Sequence, residues 1–309
     1  MNDPLVKRLR SELLNLRRPG PVWGNRPDAP SYVEPTILAM LALAASSSNP
    51  HDSETRRVLT DAAGWLAELQ QSDGALGLAP GLPRPRWTTP LAVLAWAAAQ
   101  RNGEAQKRAL GWLLSHQGDT SAPAGSSSLG HNPRIPGWPW VEGTHSWLEP
   151  TAMAVLALRR AGLAENVRTI DGQRLIRDRA IRTGGWNYGN STVFGADLRP
   201  QPGPTGLALL ALAGSDDLEA PFIERSCTYL SHVLATTRAP QSLSFGILAL
   251  TAWELRPPDA DQWLVSATDA VLRRSDSVAE RAYLLLAAAE RSLELLGLGG
   301  AALAQEARP

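Results

Sequence analysis

Two stretches of the chain place a carboxylate, an aromatic ring and a hydroxyl at one shared spacing. Ser31–Tyr32–Val33–Glu34–Pro35–Thr36 and Ser146–Trp147–Leu148–Glu149–Pro150–Thr151 each run into an Ala/Leu-rich segment. A glutamate beside aromatic rings can act as a general base, or partner a substrate hydroxyl or a carbocation. Two glutamates at a suitable separation can hydrolyse a glycoside. The same letters also spell a helix cap. In a Ser-x-x-Glu box the serine accepts from the third helical N–H and the glutamate reaches back to the serine N–H. Pro35 and Pro150 oppose that reading, because a residue before proline is turned away from helical geometry. The other start puts proline first in the helix and glutamate at the N-cap, a place that glutamate does not favour. Cap and site both stand as readings. A helix N-terminus favours the ionised carboxylate, so neither glutamate is expected to protonate an alkene.

The elements that must position these residues emerge from an internal repeat. Six Ala/Leu-rich segments superpose: Glu34–Ala45, Trp87–Ala98, Glu149–Arg160, Gly203–Gly214, Gln241–Ala252 and, more weakly, Ser277–Ala289. They are apolar nearly all round, as helices buried on both sides are. Between them, Ser53–Gln71, Glu104–Gln117, Gln173–Arg182, Pro221–Leu234 and Pro258–Arg274 carry charge and one apolar stripe, the pattern of half-exposed helices. Alternating β-branched runs bounded by turns are missing. The class is therefore all-α, with a buried inner set of helices and an amphipathic outer set.

Three outer segments end alike. Gly64–Trp65–Leu66 leads to Gln70 and Gly74, Gly111–Trp112–Leu113 leads to Gln117 and Gly118, and Gly184–Gly185–Trp186 follows Arg182. The amide is expected to satisfy carbonyls at the helix end and the glycine to form a left-handed C-cap. This Trp-Leu…Gln…Gly pattern resembles the glutamine–tryptophan repeats of the squalene–hopene cyclase and protein prenyltransferase superfamily. Gly184–Gly185–Trp186–Asn187–Tyr188–Gly189, followed by Pro204–Thr205–Gly206–Leu207, is similar to the same family's turn and next inner helix, and the likeness covers roughly residues 30 to 290. It implies an α/α toroid of five to six helical hairpins around a central cavity that holds an isoprenoid.

The family's reaction motifs do not carry over. Asp259–Ala260–Asp261–Gln262 lacks the last acid of Asp-x-Asp-Asp and reads as a helix cap at Asp259 or Asp261. Asp216–Asp217–Leu218–Glu219–Ala220 lacks the third carboxylate of a diphosphate-ionising motif and reads as a solvated turn. Cys227 and His232, five apart on a helix, diverge instead of sharing a zinc. No metal and no cofactor are expected.

In a toroid the starts of the inner helices gather at one mouth. That register holds Glu34, Trp87, Glu149, Gly203 and Gln241. Glu34 and Glu149 are the candidate catalytic residues. Tyr32, Thr36, Trp87, Trp147, Thr151, Thr205, Tyr188, Asp197 and Gln241 are the candidate substrate-binding set, aromatic walls with a few polar groups. Trp253 is read near an inner-helix face, and Trp138 and Trp140 as a lid in the Pro-rich Gly137–Gly143 segment. The long irregular stretches Gln117–Thr144 and Gly184–Pro204 suit functional loops.

Composition bounds the rest. The 309 residues balance to a formal net charge of zero, which removes bulk attraction to nucleic acid. Eleven Trp against three Phe suit broad flat surfaces with polar tips. One cysteine fits a reducing compartment, and the expected location is the cytoplasm. No run reaches the length of a membrane span; Ile37–Ala45, preceded by Glu34 and Pro35, reads as a core helix and not as a signal segment. Leu5, Leu9, Leu13 and Leu16 line one face of a basic N-terminal helix, expected to pack peripherally, with a membrane surface as its other use. Residues 1–30 form this helix and a linker, 31–295 the toroid, and 296–309 a flexible tail. The expected partner is an isoprenoid-like apolar molecule. A carbohydrate-active toroid with paired glutamates and a non-catalytic scaffold are the alternatives.

Overall fold

A computed structural model describes residues 3–17, 20–47, 52–121, 130–193, 195–215 and 220–298. The Asp216–Glu219 string and residues 299–309 of the expected tail lie outside them. The described residues form two compact units, Met1–Leu113 with Pro258–Pro309 and Leu114–Pro257.

In the first unit the inner helices are α2 (Val33–Ser46), α4 (Thr89–Ala99) and α12 (Val278–Ala288), with α2 packed against both of the others. Around them lie α1 (Asp3–Asn15), α3 (Ser53–Leu69), α5 (Gly103–Ser115, crossing the unit boundary), α11 (Ala260–Arg274) and the short α13 (Ser292–Leu295). In the second unit α8 (Pro202–Leu212) lies between α6 (Leu148–Arg160) and α10 (Pro240–Ala252). Flanking them are α7 (Val167–Asp178) and α9 (Ala220–Val233). The only described strands are β1 (Thr192–Val193) and β2 (Ala196–Asp197), a two-residue antiparallel pairing in the loop before α8.

All six expected inner segments are helices, and outer and inner helices alternate from α1 to α12. Their small residues let backbones approach closely. Gly206 of α8 is the extreme case, since a Cβ there would stand 2.6 Å from the Phe245 carbonyl carbon of α10. The Trp253 indole at the end of α10 donates to the Leu209 carbonyl of α8 at 3.0 Å, so this ring ties two helices together.

The apolar stripe of α1 is spent in the core. Leu5, Leu9 and Leu13 are buried and α1 packs on α12 and α2, so this face is not offered to a membrane. Residues 1–30 thus contribute an outer helix of the first unit as well as a linker.

The glutamine–tryptophan ending works differently from its expected role. Gln70 is itself the C-cap of α3, with extended backbone. Its side-chain amide donates to the Gly74 carbonyl and to the Ala105 carbonyl of α5, both at 2.8 Å, and its oxygen accepts from Arg108. Gly74 has φ +96°, and a Cβ there would meet the Arg108 carbonyl oxygen at 2.3 Å. The motif therefore staples one outer helix to the next. At the third ending, which has no glutamine, Gly185 N–H donates to Ser226 Oγ of α9 at 2.8 Å. At α11, Asp259 holds the N-cap position but its side chain makes no capping bond.

Candidate functional site

The start of α2 and the start of α6 are built on one frame. Trp23 N–H donates to Thr36 Oγ1 at 3.0 Å, and the Thr36 hydroxyl returns a bond to the Trp23 carbonyl at 3.1 Å. Trp138 and Thr151 repeat this at 3.0 and 3.3 Å, and Trp186 and Thr205 at the same distances. The Trp23 carbonyl also accepts from Tyr32 N–H, as the Trp138 carbonyl does from Trp147 N–H, both at 3.1 Å. Beyond each aromatic residue, Val33 N–H donates to the Leu78 carbonyl and Leu148 N–H to the Tyr188 carbonyl. Counted from the tryptophan, both copies set the aromatic at +9, the glutamate at +11 and the threonine at +13.

The same frame extends to two more inner helices. Leu76 N–H donates to Thr89 Oγ1, thirteen residues on, which gives Trp87 the glutamate's spacing, though it lies two residues before α4. Before α8 the spacing from Trp186 to Thr205 grows to nineteen, and Gly203 takes the glutamate position. Gln241 is exposed at the second residue of α10, which enters on a short connection from α9.

This geometry corrects the capping readings. Helix α2 begins at Val33 with Tyr32 as N-cap, and α6 begins at Leu148 with Trp147 as N-cap, in neither case with a side-chain cap bond. Ser146 Oγ accepts instead from Gly137 N–H. Both glutamates are helical in spite of the following proline, which sits third in the helix, where an N–H has no intrahelical acceptor and its loss costs nothing. The helix is held in place by the loop bonds at Val33, Leu148 and the threonines.

Each glutamate is an exception on its helix. From Val33 to Ala45 every residue is buried except Glu34, and from Leu148 to Leu158 every residue is buried except Glu149. Neither carboxylate makes a hydrogen bond or ion pair with a described residue. Partial burial pushes both carboxyls above the usual value of 4.5. Burial thus works against the ionised form that the helix N-terminus alone would favour.

Such a group binds more protons folded than unfolded, so stability falls as pH rises from the unfolded pKa to the folded one, and the deficit is complete above both. Glu34→Gln and Glu149→Gln should each flatten this decline above pH 4.5 and raise the melting midpoint at pH 7 by about 1–2 °C. Melting curves from pH 4 to 8 check this; a variant less stable than the parent at pH 7 would restore the capping role.

The aromatic residues divide. Trp147 is 39% exposed and Tyr188 50% exposed at the start of α6, and Gly189 lies against the Trp147 ring. Tyr32 and Trp87 are half-buried. Trp138 is only 3% exposed, with the Arg168 guanidinium 4.3 Å from its ring centre, so it is a core anchor and not a lid. The hydroxyls of Thr36, Thr151 and Thr205, all fully buried, are committed to the backbone clamps. Asp197 lies on the β2 edge, where Arg182 donates to its Oδ2 from Nε and Nη2. The buried Cys227 thiol is pushed up to about 11, and His232 is exposed five residues on. Among the described residues no group of His, Cys, Asp or Glu could hold a metal ion.

Trp23 and Trp186 were not among the expected site residues, although they anchor the frame. The equal spacing from Trp23 to Thr36 and from Trp138 to Thr151 was the available signal. A cleft of about 440 Å³ opens at the far ends of α2 and α4, lined in part by Asp52, Arg56, Gln100 and Arg291. Asp52 is already paired with Arg10 and Thr55, and Arg291 with Glu294.

These features define an all-α protein of the α/α toroid class, and comparison with solved structures agrees. A protein from Actinoplanes is similar, with TM-score 0.61 and 16% identity over 95% of this chain and 98% of that one. The type II terpene cyclase MstE from Scytonema superposes with TM-score 0.55 at 17% identity, over 89% of this chain and 80% of that one. A glycoside hydrolase family 76 mannosidase from Bacteroides thetaiotaomicron gives TM-score 0.55 at 11% identity, over 99% of both chains. At these identities the likeness is one of fold. No protein-family model matches the chain, and no curated protein matches it by sequence. No described helix is long and apolar enough to cross a membrane.

Proposed function

We propose that this chain binds an isoprenoid-type apolar ligand at the start of an inner helix, where the glutamate of that unit, Glu34 in the first or Glu149 in the second, is the polar contact. The observation that carries the reading is the exceptional place of the two glutamates. Each is the one residue left unburied on an otherwise buried stretch of helix, two positions after an aromatic residue, with no partner among the described residues. Apolar walls with few polar groups are what a hydrocarbon ligand requires. The fold supports the reading, because MstE, a terpene cyclase, has a structure in complex with geranylgeranyl dihydroxybenzoate, a substrate, at TM-score 0.51 and 13% identity. The single buried Cys227 suits a reducing compartment, the cytoplasm in this reading.

Solvent extraction of the purified protein followed by mass spectrometry, with titration of farnesyl and geranylgeranyl compounds against tryptophan fluorescence, tests it. The expected result is a recovered prenyl compound, or saturable quenching at micromolar concentration. Absence of both signals would remove the isoprenoid reading.

One observation favours a second reading. Trp147 and Tyr188, both exposed beside Glu149, form the kind of aromatic surface that a sugar ring can rest on, and a mannosidase shares the fold. Saturable binding of manno-oligosaccharides, lost in Trp147→Ala, would move the assignment to carbohydrates.

A further inference from the structure

We infer that the ligand's polar end, where it meets Glu149, donates hydrogen bonds and carries no negative charge: a prenyl alcohol or phenol and not a prenyl phosphate or diphosphate. This rests on the isoprenoid reading and names the head group that the same site selects.

The argument begins from what surrounds the carboxylate in the second unit. Glu149 lies at the second position of α6, between the buried Leu148 and Pro150 and two residues after the exposed Trp147, with the Tyr188 carbonyl bonded to the Leu148 N–H. A carboxylate is an acceptor with about four lone-pair directions, and Glu149 uses none of them on a described residue. A group that donates is therefore the complement the site lacks. Burial raises its pKa, and it forms no ion pair with a described residue.

Two arginines of this unit are engaged elsewhere. Arg182 is bound to Asp197, and Arg168 stacks on Trp138, donates to the His116 and Gly137 carbonyls and faces Asp171. No described acidic cluster could recruit a divalent ion to neutralise a diphosphate. A diphosphate head would thus bring two or more negative charges to an unpaired, partly desolvated carboxylate, where like charges repel. A hydroxyl would instead make a hydrogen bond to a charged acceptor, among the stronger kinds. The Trp147 and Tyr188 rings are compatible with a neutral head and prenyl chain, and offer nothing to a phosphate.

The test compares geranylgeraniol with geranylgeranyl diphosphate, with and without magnesium, by tryptophan fluorescence on the full chain. The alcohol is expected to bind about tenfold or more tightly, the size set by one charge-assisted hydrogen bond. Glu149→Gln keeps an acceptor oxygen and removes the charge, so the alcohol should weaken by only about threefold while the diphosphate's affinity should rise. Glu149→Leu should weaken the alcohol by about tenfold, with the melting midpoint reported alongside to show that the variant is folded. A diphosphate that binds the parent protein as well as the alcohol, or that gains nothing in Glu149→Gln, overturns the inference and leaves the isoprenoid reading standing. Failure of both compounds to bind overturns both.

Discussion

Thr151→Val should destabilise the protein by about 2–4 kcal/mol, although valine has nearly the shape of threonine. The hydroxyl accepts from Trp138 N–H and donates to the Trp138 carbonyl, and both partners belong to a residue only 3% exposed. Valine leaves that N–H with no acceptor in a place water does not reach. An unsatisfied buried backbone group costs roughly 1–3 kcal/mol, and the carbonyl is spared part of this because it also accepts from Trp147 N–H. Thr151→Ser keeps both bonds and loses one methyl, so it should recover most of the stability. Chemical denaturation of the three proteins checks the ordering. A Thr151→Val midpoint equal to the parent's would mean that the clamp does not hold the start of α6. The change should also reach Trp147, whose N–H hangs from the same carbonyl; loosening it should weaken ligand binding beside Glu149 more than the same change at Thr205, where the glutamate position is glycine.

These clamps show where sequence reasoning reached and where it stopped. Apolar character all round marked most inner helices, less so α12 with its Glu280 and buried Arg281, and Glu34 and Glu149 stood out against that background. The outer helices were legible from their single stripe. Spacing alone could not say what the threonines do. A hydroxyl near an aromatic reads equally as a ligand group or a backbone clamp until its partner is known, and that partner is thirteen or nineteen residues away in a loop. The serines misled for a related reason: Ser-x-x-Glu describes a local bond pattern, whereas the helix start is set by long-range bonds from Val33 to Leu78 and from Leu148 to Tyr188. Trp138 looked like a lid because prolines surround it. The Arg168 side chain that covers it comes from α7, thirty residues on, and leaves no trace in the local sequence.

Gly206→Ala and Gly64→Ala should move stability in opposite directions, although each adds one methyl to a helix. At both sites alanine gains about 1 kcal/mol in helix propensity over glycine. At Gly64, within α3, a Cβ meets nothing within 4 Å, so the gain should appear as added stability of about 0.5–1 kcal/mol. At Gly206 the new Cβ would stand 2.6 Å from the Phe245 carbonyl carbon and 2.7 Å from Gly246 N, which are backbone atoms of α10. No rotamer can relieve such a contact; α8 and α10 must separate. Overpacking of this kind costs about 1–3 kcal/mol, and more where backbone must move, so it outweighs the propensity gain and a net loss of about 2 kcal/mol is expected. Separation would also strain the bond from Trp253 to the Leu209 carbonyl, which joins the same two helices. Paired denaturation curves decide the matter. A stabilised Gly206→Ala protein would mean that α8 and α10 do not pack backbone to backbone, and the close spacing of inner helices in the second unit would have to be given up.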